Sequence, residues 1–151
     1  MFNNTGITKA TGAAPVQILF NVQNQLSVPI IVDDAYYVTK GTKKIVPAGT
    51  PLYGDLTARN AAGETPNTFV KASTTSTKIG ATDEDTPVDV KVNKSNAAGV
   101  LLHDVDVTNG DNNGTLLIWG FVDLNKLDAT TAALITAEVK EALKGNVTFL
   151  K

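Results

Sequence analysis

Cysteine is missing from all 151 residues, and with it go disulfide staples, thiolate metal sites and a thiol nucleophile. Histidine occurs once, as His103, so at most one imidazole is available for proton transfer. An excess of either charge is lacking too: 13 basic and 15 acidic side chains leave a formal charge of -2. That balance is too even for the positive field that nucleic acid or an anionic membrane surface requires, so neither is expected as a partner. No run approaches the roughly 18 apolar residues of a membrane span. The opening Met-Phe-Asn-Asn-Thr-Gly has neither the basic nor the apolar region of a secretory signal, and a chain outside the standard secretory route is expected. Neither Gly-x-x-x-x-Gly-Lys-Ser/Thr nor Gly-x-Gly-x-x-Gly occurs, which argues against nucleotide chemistry. None of Ser27, Ser73, Ser76 or Ser95 lies in a Gly-x-Ser-x-Gly elbow, so the hydroxyls look unactivated. A protein that is not an enzyme and carries no cofactor is the expectation.

What is present is a foldable, β-patterned chain. Hydrophobic residues make up 42% and charged residues 19%, far from the composition of disordered chains. The length suits one domain. Residues 1–15 are small and polar apart from Met1, Phe2 and Ile7, and read as a flexible N-terminal arm; residues 16–151 read as a single domain. Val16, Ile18, Phe20 and Val22 alternate with Gln17, Leu19 and Asn21, the period of a strand. Val28–Val32 is a second run, confined by Pro29 to an edge or to a start after the proline. Ala35–Thr39 and Lys43–Val46 flank a Gly41 turn and predict a hairpin, while the prolines and glycines of Pro47–Asp55 force turns between short extended pieces.

Thr57–Asp85 carries little pattern and reads as loops around one or two strands. Alternation returns at Val88, Val90 and Val92 and again at Leu101, His103, Val105 and Val107. The run Leu116–Val122, which includes Trp119 and Phe121, reads as a strand covered on both faces. One helix is predicted over Ala129–Lys144, capped by Asp128 or Thr130 and ended by Gly145, with Ile135, Val139, Ala142 and Leu143 as its apolar stripe. Val147–Leu150 closes the chain as a strand. The fold class is therefore mainly β, or α+β: a compact β-rich domain of short antiparallel strands with one C-terminal helix and a short closing strand.

Candidate chemistry is sparse. His103 shares strand parity with Leu101, Val105 and Val107 and is expected to be a packed structural residue. Asp104, Asp106 and Asp111, with Asn109, Asn112 and Asn113, are the most site-like group, because hard oxygen ligands near a glycine turn suit calcium. The frame from Asn109 fails as a calcium loop, since its twelfth position is Gly120 where a bidentate Glu is needed. A polar turn with no bound metal is the expectation there, and the acidic run Asp83-Glu84-Asp85 reads as a solvated loop. Trp119 and Phe121 are expected in the core.

Two stretches carry a family resemblance. Ala97-Ala-Gly-Val-Leu-Leu-His-Asp-Val-Asp-Val-Thr-Asn-Gly110, followed by Gly114-Thr-Leu-Leu-Ile-Trp-Gly-Phe-Val-Asp-Leu-Asn-Lys-Leu127, a helix and a closing strand, resembles the head decoration or head fibre proteins of tailed bacteriophages. Ala48-Gly-Thr-Pro-Leu-Tyr-Gly-Asp55 is similar to them too. The resemblance implies a virion protein, made in the host cytoplasm, that binds the capsid exterior through the major capsid protein, often as a homotrimer, and stabilises the shell. Related proteins commonly hold the shell through an N-terminal arm; within residues 1–15, Phe2, Ile7 and Pro15 are taken as candidate capsid-binding residues because they are apolar or rigid, not from any family motif. A carbohydrate- or host-surface-binding head fibre module is the alternative.

Overall fold

The computed structural model describes residues 17–56, 68–79 and 90–151. The expected arm with Phe2, Ile7 and Pro15, together with Val16, Asp83-Glu84-Asp85 and Val88, lies outside the described residues. In chain order the strands are β1 (Leu26–Val32), β2 (Val38–Lys40), β3 (Lys43–Val46), β4 (Pro51–Tyr53), β5 (Thr68–Lys71) and β6 (Thr74–Ile79). They continue as β7 (Val90–Ser95), β8 (Gly99–Leu101), β9 (Val105–Asp106) and β10 (Asn112–Asp123). A 3-10 turn at Leu124–Lys126 leads to helices α1 (Ala129–Leu134) and α2 (Ala137–Ala142), and β11 (Val147–Leu150) ends the chain. The domain is mainly β, as its alternation predicts.

The pairings close on themselves. β1 pairs with β5, β5 with β4, β4 with β8, β8 with β10 and β10 back with β1. A ring of strands removes the unpaired edges that an open sheet would present. Most pairings are antiparallel; β1–β5 and β10–β11 are parallel. The ring encloses Ile30, Val32, Leu52, Phe69, Leu101 and Leu116, which form one core with Val46, Val105 and Val107 from the flanking β2–β3–β9 sheet. A second core lies on the outer face of β8 and β10, where Val100, Leu117 and Val122 meet Ile18, Leu19, Ile135, Val139, Leu143 and Val147. β6 and β7 form a separate two-stranded ribbon.

Several local expectations change. Residues 17–22 do not form a regular strand: a single bridge joins Leu19 to Val122, and Ile18 and Leu19 are both buried while Phe20 and Val22 are exposed. The segment is held by hydrogen bonds from Phe20 N–H to Phe121 O, from Asp123 N–H to Ile18 O and from Lys126 Nζ to Leu19 O. Pro29 lies within β1, opposite Thr115 on β10, and β5 takes over β1's other side only from Ile31, so the missing donor harms no ladder. The helix predicted as one is two. Asp128 caps α1 by accepting from Thr131 N–H at 2.8 Å, and Thr136 caps α2 by accepting from Val139 N–H at 3.4 Å. A β-branched pair, Ile135-Thr136, sits at the break, where the threonine hydroxyl serves the backbone better as a new cap than in a helix interior. Ile135, Val139 and Leu143 are buried as the stripe requires, but Ala142 is exposed.

β10 also changes sides. Up to Ile118 its even-numbered residues face the ring interior, with Leu116 in that core and Ile118 packed against it, while Leu117 faces the second core. Strict alternation would then send Val122 inward, yet it lies in the second core. The switch occurs at a bulge: Leu26 pairs with Trp119 and Ser27 with Leu117, so Ile118 is an extra residue on β10 and the alternation restarts at Trp119. Gly120 follows, with a φ of 150° that is open to glycine and strained for other residues. An added Cβ would meet nothing closer than 3.4 Å, so space is not the obstacle. Gly120→Ala is expected to lower stability by about 1–3 kcal/mol through backbone strain alone. Urea unfolding checks it, and a loss within a few tenths of a kcal/mol would contradict the account.

Asp128 adds a pH dependence. Partial burial pushes its carboxyl up, but hydrogen bonds from the Thr131 N–H and hydroxyl, a bond from Thr130 N–H and the Lys40 charge outweigh it and hold it below the usual range. A lowered folded value means the stabilisation is complete above the unfolded aspartate value of about 3.9 and is lost as pH falls through the folded value. Asp128→Asn should flatten the acid side of the stability profile; an unchanged slope there would count against this role.

Candidate interaction surface

Among the described residues, the sequence candidates do not assemble into a catalytic constellation. His103 is exposed, not packed: β8 ends at Leu101, Leu101 and Leu102 are both buried, and the bend that follows turns His103 outward before β9 begins. A single bend thus breaks the parity that made it look internal. Two clefts on the described surface are open to solvent. One of about 340 Å³ lies at the Asp106, Asn109 and Asp111 turn, and another of about 320 Å³ lies between Pro51, Lys71, Thr74 and Thr136.

The acidic group around Asp104–Asn113 is divided among structural tasks. Asp104 accepts from Lys40 Nζ at 2.9 Å with one oxygen and from Ala48 N–H at 2.8 Å with the other, tying the β2–β3 hairpin and the turn before β4 to the β8–β9 bend. Asp106 is paired with Lys43 at 3.1 Å and accepts from the Thr108 hydroxyl and N–H. The Thr108 bonds first, with Lys43 behind them, hold its carboxyl below the usual range. Asp111 stands instead with Asp33 and Asp34, their carboxylate oxygens within 4.8 Å of one another, and one Asp111 oxygen accepts from Asp34 N–H. Asn112 spans the turn by donating to Asp106 O at 2.8 Å. These are the bonds of a tight polar corner.

The surface feature that stands apart is apolar. Trp119 is 43% exposed and Phe121 half-buried, although both sit in the most hydrophobic run of the sequence, where the core was expected to take them. The bulge at Ile118 turns both to the face opposite Val122. Leu26, 56% exposed, is the cross-strand partner of Trp119; the Trp119 and Phe121 rings meet edge to face with centroids 6.3 Å apart; and Phe20, 61% exposed, donates its N–H to Phe121 O. Leu26, Trp119, Phe121 and Phe20 are therefore one continuous row. With Val22 beside it, the row holds four of the seven large apolar side chains exposed among the described residues. Small domains rarely leave such a cluster uncovered unless something docks on it, and exposed aromatics are typical of interface centres. Sequence reasoning missed the row because apolarity was taken for burial. The signal available was Gly120 inside the run, since an interior strand glycine marks a change of backbone course.

No protein-family model, curated protein or solved structure matches the chain.

Asp104 offers a sharp contrast between surface charge and buried polarity. Lys40→Ala should change stability by about 1 kcal/mol at most, the usual worth of an exposed ion pair. Asp104→Ala also orphans the partly buried Ala48 N–H and should cost about 1–3 kcal/mol. Equal losses in denaturant unfolding would show that Ala48 does not depend on Asp104.

Proposed function

We propose that this protein is a structural component of a tailed-phage virion that binds the outer surface of the head and stabilises the capsid, without catalysing a reaction. The observation that carries the reading is the placement of the segments that resemble head decoration proteins. They are distant in sequence and contiguous in space. Pro51 and Leu52 of β4 pair with Val100 and Gly99 of β8; Gly49 N–H donates to Leu101 O, and Leu101 N–H to Thr50 O. A Cβ on Gly49 would fall 2.5 Å from Leu127 Cδ2, so the stretch ending at Leu127 presses on the one beginning at Ala48. Residues that pack on one another specify a fold together, so the resemblance rests on one unit instead of scattered matches.

The open clefts, the even charge and the exposed aromatic row suit a protein whose work is to bind other proteins. Attachment to a symmetric shell multiplies weak contacts, so no deep pocket is required of each copy. The partner is the major capsid protein and the working location is the capsid exterior. Purified protein mixed with expanded heads of the cognate phage should co-sediment with them, saturate in fixed proportion to the major capsid protein, and raise the temperature at which the heads come apart. A protein that stays in the supernatant at saturating concentration would overturn the reading.

A further inference from the structure

We propose that Asn109 is a site of spontaneous covalent modification, at which the Gly110 amide closes on the Asn109 side chain and the asparagine ages to aspartate or isoaspartate. The proposal concerns the chemistry of the turn before β10 and does not rest on attachment to a capsid.

The sequence holds two Asn-Gly pairs, Asn109-Gly110 and Asn113-Gly114. A glycine after asparagine leaves its backbone nitrogen uncrowded, so that nitrogen can reach the side-chain carbonyl carbon one residue back. The Gly110 nitrogen bonds to Asn109 Cγ, the bond from Cγ to Nδ2 breaks, and the proton of the attacking nitrogen leaves with Nδ2 as ammonia. Water then opens the resulting succinimide at one of its two carbonyls. Opening at Cγ gives aspartate; opening at the Asn109 main-chain carbonyl gives isoaspartate, whose backbone runs on through Cβ and Cγ. Water supplies the oxygen, and no oxidant, metal or enzyme is consumed.

The two pairs share this chemistry and differ in their surroundings. Asn109 is exposed in the turn between β9 and β10, and among the described residues no hydrogen bond holds its side chain. Gly110 N–H bonds to Val107 O at 3.3 Å, past the usual range for such a bond. A Cβ added at Gly110 would meet nothing within 4 Å, so the ring has room to form. Asn113 and Gly114, by contrast, lie inside β10 and pair with Ile31 and Ile30 of β1. A Cβ added at Gly114 would fall 2.6 Å from Val32 Cγ2 and 3.1 Å from Val105 Cγ2. Closing a ring there requires the β1–β10 ladder to open over the first core.

Conversion at Asn109 adds a negative charge to a chain whose formal charge is already -2. The new carboxylate joins Asp106 and Asp111 in lining the cleft of about 340 Å³, with Asp33 and Asp34 close to Asp111. Like charges so placed repel. Isoaspartate also lengthens the backbone of the turn that Asn112 holds shut through Asp106 O.

Incubation of the folded protein at mildly alkaline pH, in water labelled with heavy oxygen, tests the proposal. Peptide mapping by mass spectrometry should find labelled aspartate and isoaspartate at Asn109, formed more than about tenfold faster than at Asn113, whose reaction waits on opening of the strand pairing. The same incubation in denaturing urea should erase most of that difference, because unfolding leaves both pairs free. An Asn109 left intact in the folded protein after the unfolded chain has converted, or equal labelling of Asn109 and Asn113 in the folded protein, would overturn the proposal. Either result would leave capsid attachment standing, since co-sedimentation with heads measures that separately.

Discussion

The backbone pairing of β10 is the constraint on which the rest of the structure depends. Over its first half the strand hydrogen-bonds to β1 on one side and to β8 on the other, closing the ring around Phe69, Leu101 and Leu116. Over its second half it exchanges those neighbours for β11 and for residues 18–20, bringing Val147, Ile18 and Leu19 over the second core. One strand thus belongs to both cores. The change of face at the Ile118 bulge is what allows this, because it sends Val122 into the second core after Leu116 has entered the first. It also leaves Trp119 and Phe121 at the surface, on the outside of the strand that the whole fold is built upon. An aromatic row mounted there is rigid, so docking on it costs little ordering of the backbone.

Polar groups reinforce the joints between these layers. Asp104 ties Lys40 and the Ala48 N–H to the bend after β8, and Thr50 is fully buried with its hydroxyl donating to Pro47 O at 2.7 Å. Asp128 and Thr136 cap two short helices, each too brief to hold together from intrinsic propensity. What stabilises those helices is the contact of Ile135, Val139 and Leu143 with the outer face of the sheet.

Much of the fold was legible because alternation is a direct consequence of strand geometry. The β2–β3 hairpin around Gly41, the turn-bounded β4, the long apolar strand, the closing strand and the helical region were all readable from pattern and punctuation. The failures share a cause. His103, Phe20 and Val22 were assigned to faces by counting in twos through segments where the backbone bends, and one irregular residue reverses every later assignment. Trp119 was placed in the core because its neighbours are apolar, whereas its face is set by the bulge at Ile118 in the pairing with β1, a matter of long-range pairing. Ring closure was illegible for the same reason: it depends on β1 meeting β10 more than eighty residues away in sequence. The acidic group was read as a polar turn, but its partners were not legible: Asp104 and Asp106 turn to lysines and backbone donors while Asp111 joins Asp33 and Asp34, distant in sequence.

The functional account rests on attachment of the protein to the capsid exterior, for which the exposed aromatic row supplies an apolar surface. The most direct measurement is the amount of protein bound per copy of the major capsid protein as expanded heads of the cognate phage are titrated with it. The account predicts saturation at a fixed ratio. A protein that stays free at every concentration would contradict it.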